Sequence, residues 1–329
     1  MPASTPHAIV LREFGDPAVL RAEPIALAPP GPGEVRVRHT AIGVNFHDVY
    51  VRSGLYKTLA LPGIPGLEAA GVIEALGEGV TDLQVGQRVA WLTRAYGGYA
   101  SHRNLPAELA LPLPDGVSER TAASSLLKAL TAYDLTHQVH ALRAGDWVLN
   151  HASAGGVGQL VAQYGRHLGA TVIGTVGSAA KAEIARACGC DHVILYRDED
   201  FVARVQALTA GRGVDVAYDA VGQTTFMGSL ASLAQRGHLV NYGQSSGPVP
   251  PFEVSALMPK SVSLTRPSVF SAYRNPAELR TLATRVFADF AAGVLRADAP
   301  QTFALAEAGR AHEALASRDR TQALVLIPD

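Results

Sequence analysis

The N-terminal part of the chain carries short apolar runs rather than helical periodicity. These runs are rich in β-branched residues and are bounded by proline and glycine, which is typical of short strands. The pattern predicts strands over residues 33–37, 72–75, 87–91 and 99–102. We therefore expect a small β-rich unit, arranged as a barrel of short strands.

After about Ser118 the pattern changes, and short apolar runs alternate with segments of helical periodicity. Strands connected through helices pair in parallel, so this region predicts a doubly wound α/β sheet. Beyond Ser263 we expect two helices and a closing strand that returns to the first unit. The predicted strands of the sheet cover residues 147–151, 171–176, 192–195, 214–218 and 238–242, and the later elements cover 276–292, 306–316 and 323–327.

Composition and charge limit the kinds of partner. The chain of 329 residues is long enough for two domains, and its 28 basic residues balance 29 acidic ones. It therefore has no overall field that would attract nucleic acid or an anionic membrane. No segment has the roughly 20 apolar residues needed to cross a bilayer, and the N-terminus lacks the features of a secretory leader. We expect a cytoplasmic protein that binds a small molecule.

The cysteine content argues against a disulfide framework. The only cysteines are Cys188 and Cys190, which also cannot supply a four-thiolate zinc site. We interpret them as small residues in a helix-to-strand turn.

The segment "HASAGGVG", residues 151–158, joins a predicted strand to a predicted helix. Gly155 would let the backbone approach a pyrophosphate, and Gly158 would let the helix pack closely on the strand. The N–H groups at the helix start would then face the phosphates. Ser153 stands where the usual motif has its first glycine, and a purely structural turn is the alternative. The predicted cofactor contacts here are Gly155, Gly156, Val157 and Gly158.

The following strand predicts which dinucleotide is bound. An NAD-specific site places an acidic residue against the ribose 2′-hydroxyl near the end of this strand, whereas this chain has "GSAAK", residues 177–181. The hydroxyl of Ser178 and the ammonium of Lys181 can donate to a 2′-phosphate. We therefore predict NADPH, with Tyr196 as a weaker third contact. The alternative for Lys181 is an ordinary solvated helix residue.

Further cofactor contacts are predicted elsewhere in the second region. Lys128 and Thr131 lie in the apolar run "LLKALTAY", where a lysine is costly to bury without a partner. We favour a contact of this lysine with the cofactor ribose over a surface lysine. The turns after the fourth and fifth strands lie at the carboxyl edge, where ligands bind in such sheets. They contribute Val221, Gly222, Tyr242, Gly243 and Ser245.

Motifs along the whole chain resemble one family. The segments "PPGPGEVRVRHTAIGVNFHDVYVRSGLY", "IPGLEAAGVIEALGEGV", "GQRVA", "AASSLLKALTAYDL", "HASAGGVG", "LTRPSVF" and "AHEALASRDRTQALVLIP" are similar to the zinc-independent quinone oxidoreductases of the medium-chain dehydrogenase/reductase superfamily. The resemblance implies a GroES-like catalytic domain, formed by residues 1–127 and 266–329, around a Rossmann NADPH-binding domain at 128–265. It also implies a homodimer.

The same resemblance implies where the substrate binds. It places Asn45, Asp48, Tyr50 and Tyr56 at the catalytic cleft, with Asn45 also contacting the cofactor. The alternative is that Asn45 and Asp48 fix a turn and that Tyr56 only packs. Through the resemblance alone, Phe270 and Arg318 join the predicted cofactor contacts.

Zinc is not expected. Relatives with catalytic zinc carry a Gly-His-Glu segment, but this chain has Gly66, Leu67 and Glu68, and leucine cannot bind a metal. The early part of the chain also lacks cysteine. The remaining candidate ligands, His47, Asp48, Glu68 and His102, do not show the spacing of a zinc motif.

The leading prediction is NADPH-dependent reduction of a quinone by hydride transfer. One alternative is an NADPH-dependent enoyl or alkenal double-bond reductase. Another is a non-catalytic NADPH-binding protein, similar to a crystallin or an RNA-binding relative. The alternating stretch at residues 261–265 predicts an exposed sheet edge, which pairing with a second copy would cover.

Overall fold

The computed structural model describes residues 5–317 and 321–328, and the chain folds into two compact units. The first unit comprises Met1–Leu127, Arg274–Ala291 and Ala297–Asp329, and the second comprises Lys128–Tyr273 and Ala292–Arg296.

The first unit begins with an antiparallel pair of short strands and continues into a larger sheet. Its first seven strands are β1 (His7–Val10), β2 (Arg21–Pro24), β3 (Glu34–Val44), β4 (Glu68–Leu76), β5 (Arg88–Leu92), β6 (His102–Pro106) and β7 (Leu111–Pro112). Helix α1 (Phe46–Arg52) follows β3 directly. Helix α2 (Glu119–Tyr133) comes after β7 and runs into a π-helical turn, Asp134–Val139.

The second unit is a six-stranded parallel sheet with helical crossovers. Its strands are β8 (Trp147–Asn150), β9 (Thr171–Val176), β10 (His192–Leu195), β11 (Val214–Asp219), β12 (Leu233–Asn241) and β13 (Ser263–Thr265). Its helices are α3 (Gly156–His167), α4 (Ala179–Ala187), α5 (Phe201–Leu208) and α6 (Phe226–Ser232). The strand order β10-β9-β8-β11-β12-β13 is that of a Rossmann fold, whose ligand crevice lies at the carboxyl ends beside β8 and β11.

The C-terminal segment completes the sheet of the first unit. It forms α7 (Pro276–Ala291), β14 (Gln301–Ala304), α8 (Ala308–Ala316) and β15 (Leu324–Ile327). Strand β15 pairs antiparallel with β3, with Leu324 opposite Val44. The resulting seven-stranded sheet has the order β14-β15-β3-β4-β5-β7, and β6 pairs with β3.

Each unit has its own apolar core. In the first unit, Trp91 and Tyr99 are completely buried among the aliphatic side chains of β3, β4 and β15. In the second unit, Ile173, Leu149, Ala217 and Leu239 occupy paired positions on the successive strands β9, β8, β11 and β12. These strands are covered on both faces, which explains why they are continuous apolar runs in the sequence.

One predicted strand is wrong. Residues 99–102 form no strand beyond an isolated bridge between Ala100 and Ala8, and β6 begins only at His102. The reason is a turn just before it, in which Tyr96 and Gly97 both have positive φ angles, of 56° and 91°. The apolar character of this stretch reflects burial of Tyr99 in the core. Within the described residues, no helix is long and apolar enough to cross a membrane.

Candidate cofactor and substrate sites

A tight turn carries the chain of the second unit from β8 into α3. Gly155 occupies the N-cap of the helix. Ser153, which replaces the first glycine of the motif, is completely buried. Its hydroxyl donates to the carbonyl of Asn150 at 2.7 Å, and its backbone N–H donates to the carbonyl of Thr175 at 3.2 Å. The serine therefore closes the turn through its side chain, which explains why glycine is dispensable at this position.

Two glycines of this turn are required by close contacts. A Cβ at Gly158 would lie 2.3 Å from the carbonyl oxygen of Ala152, so the helix could not approach the turn as it does. A Cβ at Gly156 would lie 2.7 Å from Cδ of Lys128. The lysine side chain therefore crosses the first turn of α3. The N–H groups of that turn, at Gly156, Val157 and Gly158, have no partner inside the helix and are suited to an anion.

The end of β9 brings together the groups predicted to bind a 2′-phosphate. Ser178 is the N-cap of α4, and its hydroxyl accepts the backbone N–H of Lys181 at 3.4 Å. A Cβ at Gly177 would lie 2.7 Å from the hydroxyl of Tyr196 and 3.4 Å from Nε of Arg197. The exposed Arg197 was missed in the sequence, although it directly follows Tyr196. These groups form a polar and cationic surface around a glycine.

The turns that follow β11 and β12 are bonded to each other. The N–H groups of Ser245 and Ser246 donate to the carbonyls of Ala220 and Val221 at 3.1 and 2.9 Å. A Cβ at Gly243 would lie 2.5 Å from the carbonyl oxygen of Ala220, so glycine is needed for this approach. The two turns therefore form one rigid ledge at the carboxyl edge of the sheet.

A buried carboxylate that was not among the predicted site residues organises this ledge. Asp219 is completely buried at the end of β11. It accepts the backbone N–H groups of Val221 and Gly222 at 2.8 and 3.0 Å, and the hydroxyl of Thr225 at 2.8 Å. The hydroxyl of Ser229 also donates to it at 3.2 Å. An aspartate at the end of an apolar strand was the available sequence signal.

The remaining predicted cofactor contacts have less defined surroundings. Tyr242 has a buried hydroxyl with no hydrogen-bond partner among the described residues, and burial raises its pKa above the usual range. Phe270 is half-buried and contacts Tyr273, with ring centroids 6.5 Å apart. Thr131 is half-buried on α2. Arg318 lies outside the described residues.

In the first unit, Asn45 is held by a buried glutamate. Asn45 is the N-cap of α1, and its amide donates to Oε1 of Glu68 at 2.7 Å. The other carboxylate oxygen of Glu68 accepts the backbone N–H of Leu127 at 2.7 Å. Glu68 is completely buried, so it fixes the position of the Asn45 amide. In the sequence, this glutamate stands out only as a candidate metal ligand without the spacing of a zinc motif.

Asp48 lies within the same buried network. It is completely buried, and its Oδ2 accepts the backbone N–H of Asn45 at 2.8 Å and the hydroxyl of Tyr99 at 3.1 Å. Tyr99 also contacts Nε2 of His312 at 2.9 Å. Burial and the negative charge of Asp48 raise the pKa of Tyr99. This buried carboxylate therefore caps the first turn of α1 through the N–H of Asn45.

Aromatic side chains of α1 and the segment after it form a surface on the first unit. The rings of Tyr50 and Tyr56 are in edge contact, with centroids 5.1 Å apart. His47 contacts Tyr56 at 5.4 Å and Tyr96 at 5.9 Å. Phe46 is 37% exposed beside Tyr50. We call these five residues the aromatic surface. The structure thus brings two of the predicted substrate contacts together.

The candidate metal ligands are engaged in other interactions. Leu67 is buried, and Glu68 is hydrogen-bonded as described above. His102 contacts Ser101 at 2.9 Å and lies 3.8 Å from Glu74. Over residues 5–317 and 321–328, no three histidine, cysteine or carboxylate side chains are grouped so that they could hold a metal ion.

Comparison with known proteins places these sites in a family. The alcohol dehydrogenase GroES-like domain family matches residues 31–115, and the zinc-binding dehydrogenase family matches residues 156–288. A quinone oxidoreductase of Pseudomonas aeruginosa is 44% identical over 316 residues, which are 96% of this chain and 97% of that protein. A 2-haloacrylate reductase of a Burkholderia species is 40% identical over 328 residues, which are 98% of each chain.

Solved structures agree with these sequence matches. The crystal structure of Escherichia coli quinone oxidoreductase complexed with NADPH is 40% identical and has a TM-score of 0.94, covering 98% of this chain and 100% of that one. The similarity therefore extends far beyond the glycine turn. The chain belongs to the zinc-independent quinone oxidoreductase family of the medium-chain dehydrogenase/reductase superfamily.

Proposed function

We propose that this protein uses NADPH to reduce quinones. The observation that carries this proposal is the turn before α3, in which Lys128 crosses a helix start whose N–H groups are available to a pyrophosphate. The quinone oxidoreductases that match nearly the whole chain, one of them solved with NADPH, support the same reaction.

The residues present fit a dinucleotide. Glycine at positions 156 and 158 lets the Lys128 side chain and the carbonyl of Ala152 lie against the first turn of α3, whose N–H groups suit a pyrophosphate. The hydroxyl of Tyr242 is buried without a partner among the described residues, which is costly unless a ligand or water completes its hydrogen bonding. Both features lie at the carboxyl edge of the parallel sheet, where this fold binds its ligands.

Each part of the second unit has a defined task in this proposal. The first turn of α3 and Lys128 hold the pyrophosphate. The ledge formed by the turns after β11 and β12 supports the nicotinamide end, and Asp219 keeps the ledge rigid. The 2′-phosphate is held by hydroxyl and cationic groups around Gly177, namely Ser178, Lys181, Tyr196 and Arg197.

The first unit binds the hydride acceptor. Bound NADPH supplies a hydride, so the protein must mainly position the acceptor and exclude side reactions. Tyr50 and Tyr56 offer ring faces and edges on which a flat quinone can pack. Asn45 is held by Glu68 and can direct its amide toward the cofactor or the substrate oxygen. Because the hydroquinone product is aromatic, modest hydrogen bonding suffices.

Reduction of a conjugated carboxylate or carbonyl is a second candidate. The 2-haloacrylate reductase is nearly as similar to this chain as the quinone oxidoreductases. In addition, the exposed cation of Arg94 lies close enough to His47 to lower the pKa of that imidazole, so the aromatic surface has a positive charge beside it. A cation at this place would favour an anionic acceptor.

We further propose that the protein is a cytoplasmic homodimer. Strand β13 is the last strand of its sheet, and the neighbouring 3₁₀ helix exposes 74% of Val254 and 76% of Met258. A second copy that pairs along β13 would cover both the strand edge and these apolar side chains.

The reaction is tested by following NADPH oxidation with a panel of acceptors. The panel contains simple quinones, alkenals and halogenated acrylates, and NADPH binding is titrated separately. Turnover of quinones above all other acceptors supports the proposal. Preferred turnover of acrylates would select the second candidate, and tight NADPH binding without turnover of any acceptor would indicate a non-catalytic protein.

A further inference from the structure

Two residues of the aromatic surface, His47 and Tyr96, form a chain of polar side chains with Thr58. Nε2 of His47 lies 3.0 Å from the hydroxyl of Tyr96, and the same hydroxyl lies 2.5 Å from Oγ1 of Thr58. Tyr96 is buried, whereas Thr58 is exposed to solvent. A continuous hydrogen-bonded path therefore leads from solvent, through a buried phenol, to an imidazole on α1.

The backbone that holds Tyr96 in this path is strained. Tyr96 has a φ of 56°, which is uncommon for a residue with a bulky side chain. Such backbone conformations are strained, and they persist where the surrounding structure requires them. The strained backbone holds the phenol within hydrogen-bond distance of both His47 and Thr58.

The imidazole of His47 is neutral at physiological pH. Burial, with a smaller contribution from the positive charge of Arg94, lowers its pKa to about 4. A neutral imidazole has one N–H and one unprotonated nitrogen, and its partners decide which nitrogen carries the proton. Among the described residues, none is hydrogen-bonded to Nδ1 of His47. The contact of Nε2 with Tyr96 therefore determines which ring nitrogen carries the proton.

The acidities of the three groups determine which group donates and which accepts in each hydrogen bond. A phenol is the best neutral proton donor of the three groups, and an imidazole nitrogen is the best acceptor. Tyr96 therefore donates to Nε2 of His47, and Thr58 donates to the hydroxyl of Tyr96. This arrangement leaves the Nδ1–H of His47 available to donate.

His47 is also the member of the path that touches the predicted substrate contacts. Its ring packs at 5.4 Å against Tyr56, and Tyr56 contacts Tyr50 at 5.1 Å. An acceptor that packs on these two tyrosines would lie next to the imidazole.

We propose that His47, Tyr96 and Thr58 form a proton relay that protonates the substrate oxygen as the acceptor is reduced, an inference that rests on the proposed function. Hydride transfer to a quinone leaves one oxygen with a negative charge. The Nδ1–H bond of His47 breaks as the new O–H bond of the product forms. Nε2 takes the hydroxyl proton of Tyr96, Tyr96 takes the hydroxyl proton of Thr58, and Thr58 takes a proton from water.

The relay explains why a neutral histidine can serve here. His47 does not have to be protonated to an imidazolium before the reaction, because each group of the relay gives one proton and receives another. The net change is one proton moved from solvent to the product oxygen, and all three side chains end neutral. The imidazole then carries its proton on Nε2 and returns to the starting tautomer by exchange with solvent.

The tautomer is tested first, in the cofactor-free protein. Histidine labelled with ¹⁵N distinguishes a protonated from an unprotonated ring nitrogen, and His47→Gln assigns the signals. We expect the proton on Nδ1 in the parent protein and a mixture of tautomers in Tyr96→Phe. A proton on Nε2 in the parent would overturn the proposal. This readout does not depend on whether quinones are the acceptors.

Turnover provides the second test. Tyr96→Phe and Thr58→Val should lower kcat for a quinone roughly tenfold or more, with little change in NADPH binding. They should also increase the solvent deuterium isotope effect on kcat, because proton delivery becomes slower than hydride transfer. A merely structural role would lower the melting temperature without changing that isotope effect. Added imidazole should restore part of the turnover of His47→Ala.

Thr93→Val is the matched control, since this hydroxyl lies on the same segment and only accepts the N–H of Ala95. It should keep the kcat and the isotope effect of the parent. Parent values in Tyr96→Phe, with Nδ1 protonated in the parent, would exclude the relay. If the parent itself fails to reduce any quinone, the proposed function fails, and the tautomer measurement still decides the path.

Discussion

Replacement of Gly156 by alanine should separate stability from cofactor binding. The new Cβ would lie 2.7 Å from Cδ and 3.0 Å from Cε of Lys128, so the lysine has to leave the first turn of α3. It can do so because these atoms belong to the far end of a flexible side chain. Since Gly156 has no positive φ, alanine should raise the free energy of unfolding by about 0.4–1 kcal/mol, chiefly by restricting the unfolded chain.

NADPH affinity should change in the opposite direction. If Lys128 makes one charge-assisted hydrogen bond to the cofactor, losing it costs about 1.5–3 kcal/mol. That corresponds to a Kd for NADPH that is about ten- to a hundredfold higher. Lys128→Met, which keeps the apolar stem and removes the charge, should lose a similar amount. Because both changes remove the same contact, the double variant should bind hardly less tightly than either single one.

Gly158→Ala is the control for an effect of volume alone. Its Cβ would meet the carbonyl oxygen of Ala152 at 2.3 Å, and a backbone atom cannot move aside as Lys128 can. This variant should therefore lose about 1–3 kcal/mol of stability. The assay is fluorescence titration with NADPH together with a thermal melt of each variant. Unchanged NADPH affinity in Gly156→Ala, or additive losses in the double variant, would refute the assignment of Lys128.

Further predictions concern the cofactor, metal, substrate and assembly. Lys181→Ala should weaken NADPH by about 1–3 kcal/mol and NADH far less, and equal losses would contradict the 2′-phosphate assignment. Chelators should leave quinone reduction intact, and elemental analysis should find no stoichiometric zinc. Tyr50→Phe should lower kcat on the order of tenfold with little effect on NADPH binding, whereas Asn45→Ala should affect both. Light scattering should give twice the 34.5 kDa of one chain, and a monomer at all concentrations would contradict pairing along β13.

The parallel sheet was the part of the fold that the sequence predicted well. Its strands are buried on both faces, so they appear as continuous apolar runs, and the observed β8, β9 and β10 match the predicted ranges closely. The β-rich unit was harder to predict. Strand β3 extends over Glu34–Val44, far beyond the predicted residues 33–37, because its pairing with distant strands is not visible locally.

The same limit applies to the candidate sites. The turn before α3 could be predicted because its residues are adjacent in sequence. In contrast, the contact of Asn45 with Glu68 and that of His47 with Tyr96 join residues separated by 23 and 49 positions. Such pairs depend on how strands and loops meet in three dimensions. The sequence indicated which residue types were available and could not indicate which of them meet.

The buried carboxylate of Glu68 has a consequence for how this protein can vary. Its two oxygens accept from separate donors, the Asn45 amide and the Leu127 backbone N–H. Glutamine has the same shape, but its NH₂ group can face Asn45 only if the Asn45 amide turns over and presents its Oδ1. Aspartate is one methylene shorter and could not reach both. Random libraries at this position should therefore recover glutamate, should reject aspartate, and should accept glutamine only with a reversed Asn45 amide, which would present a different group to a bound ligand.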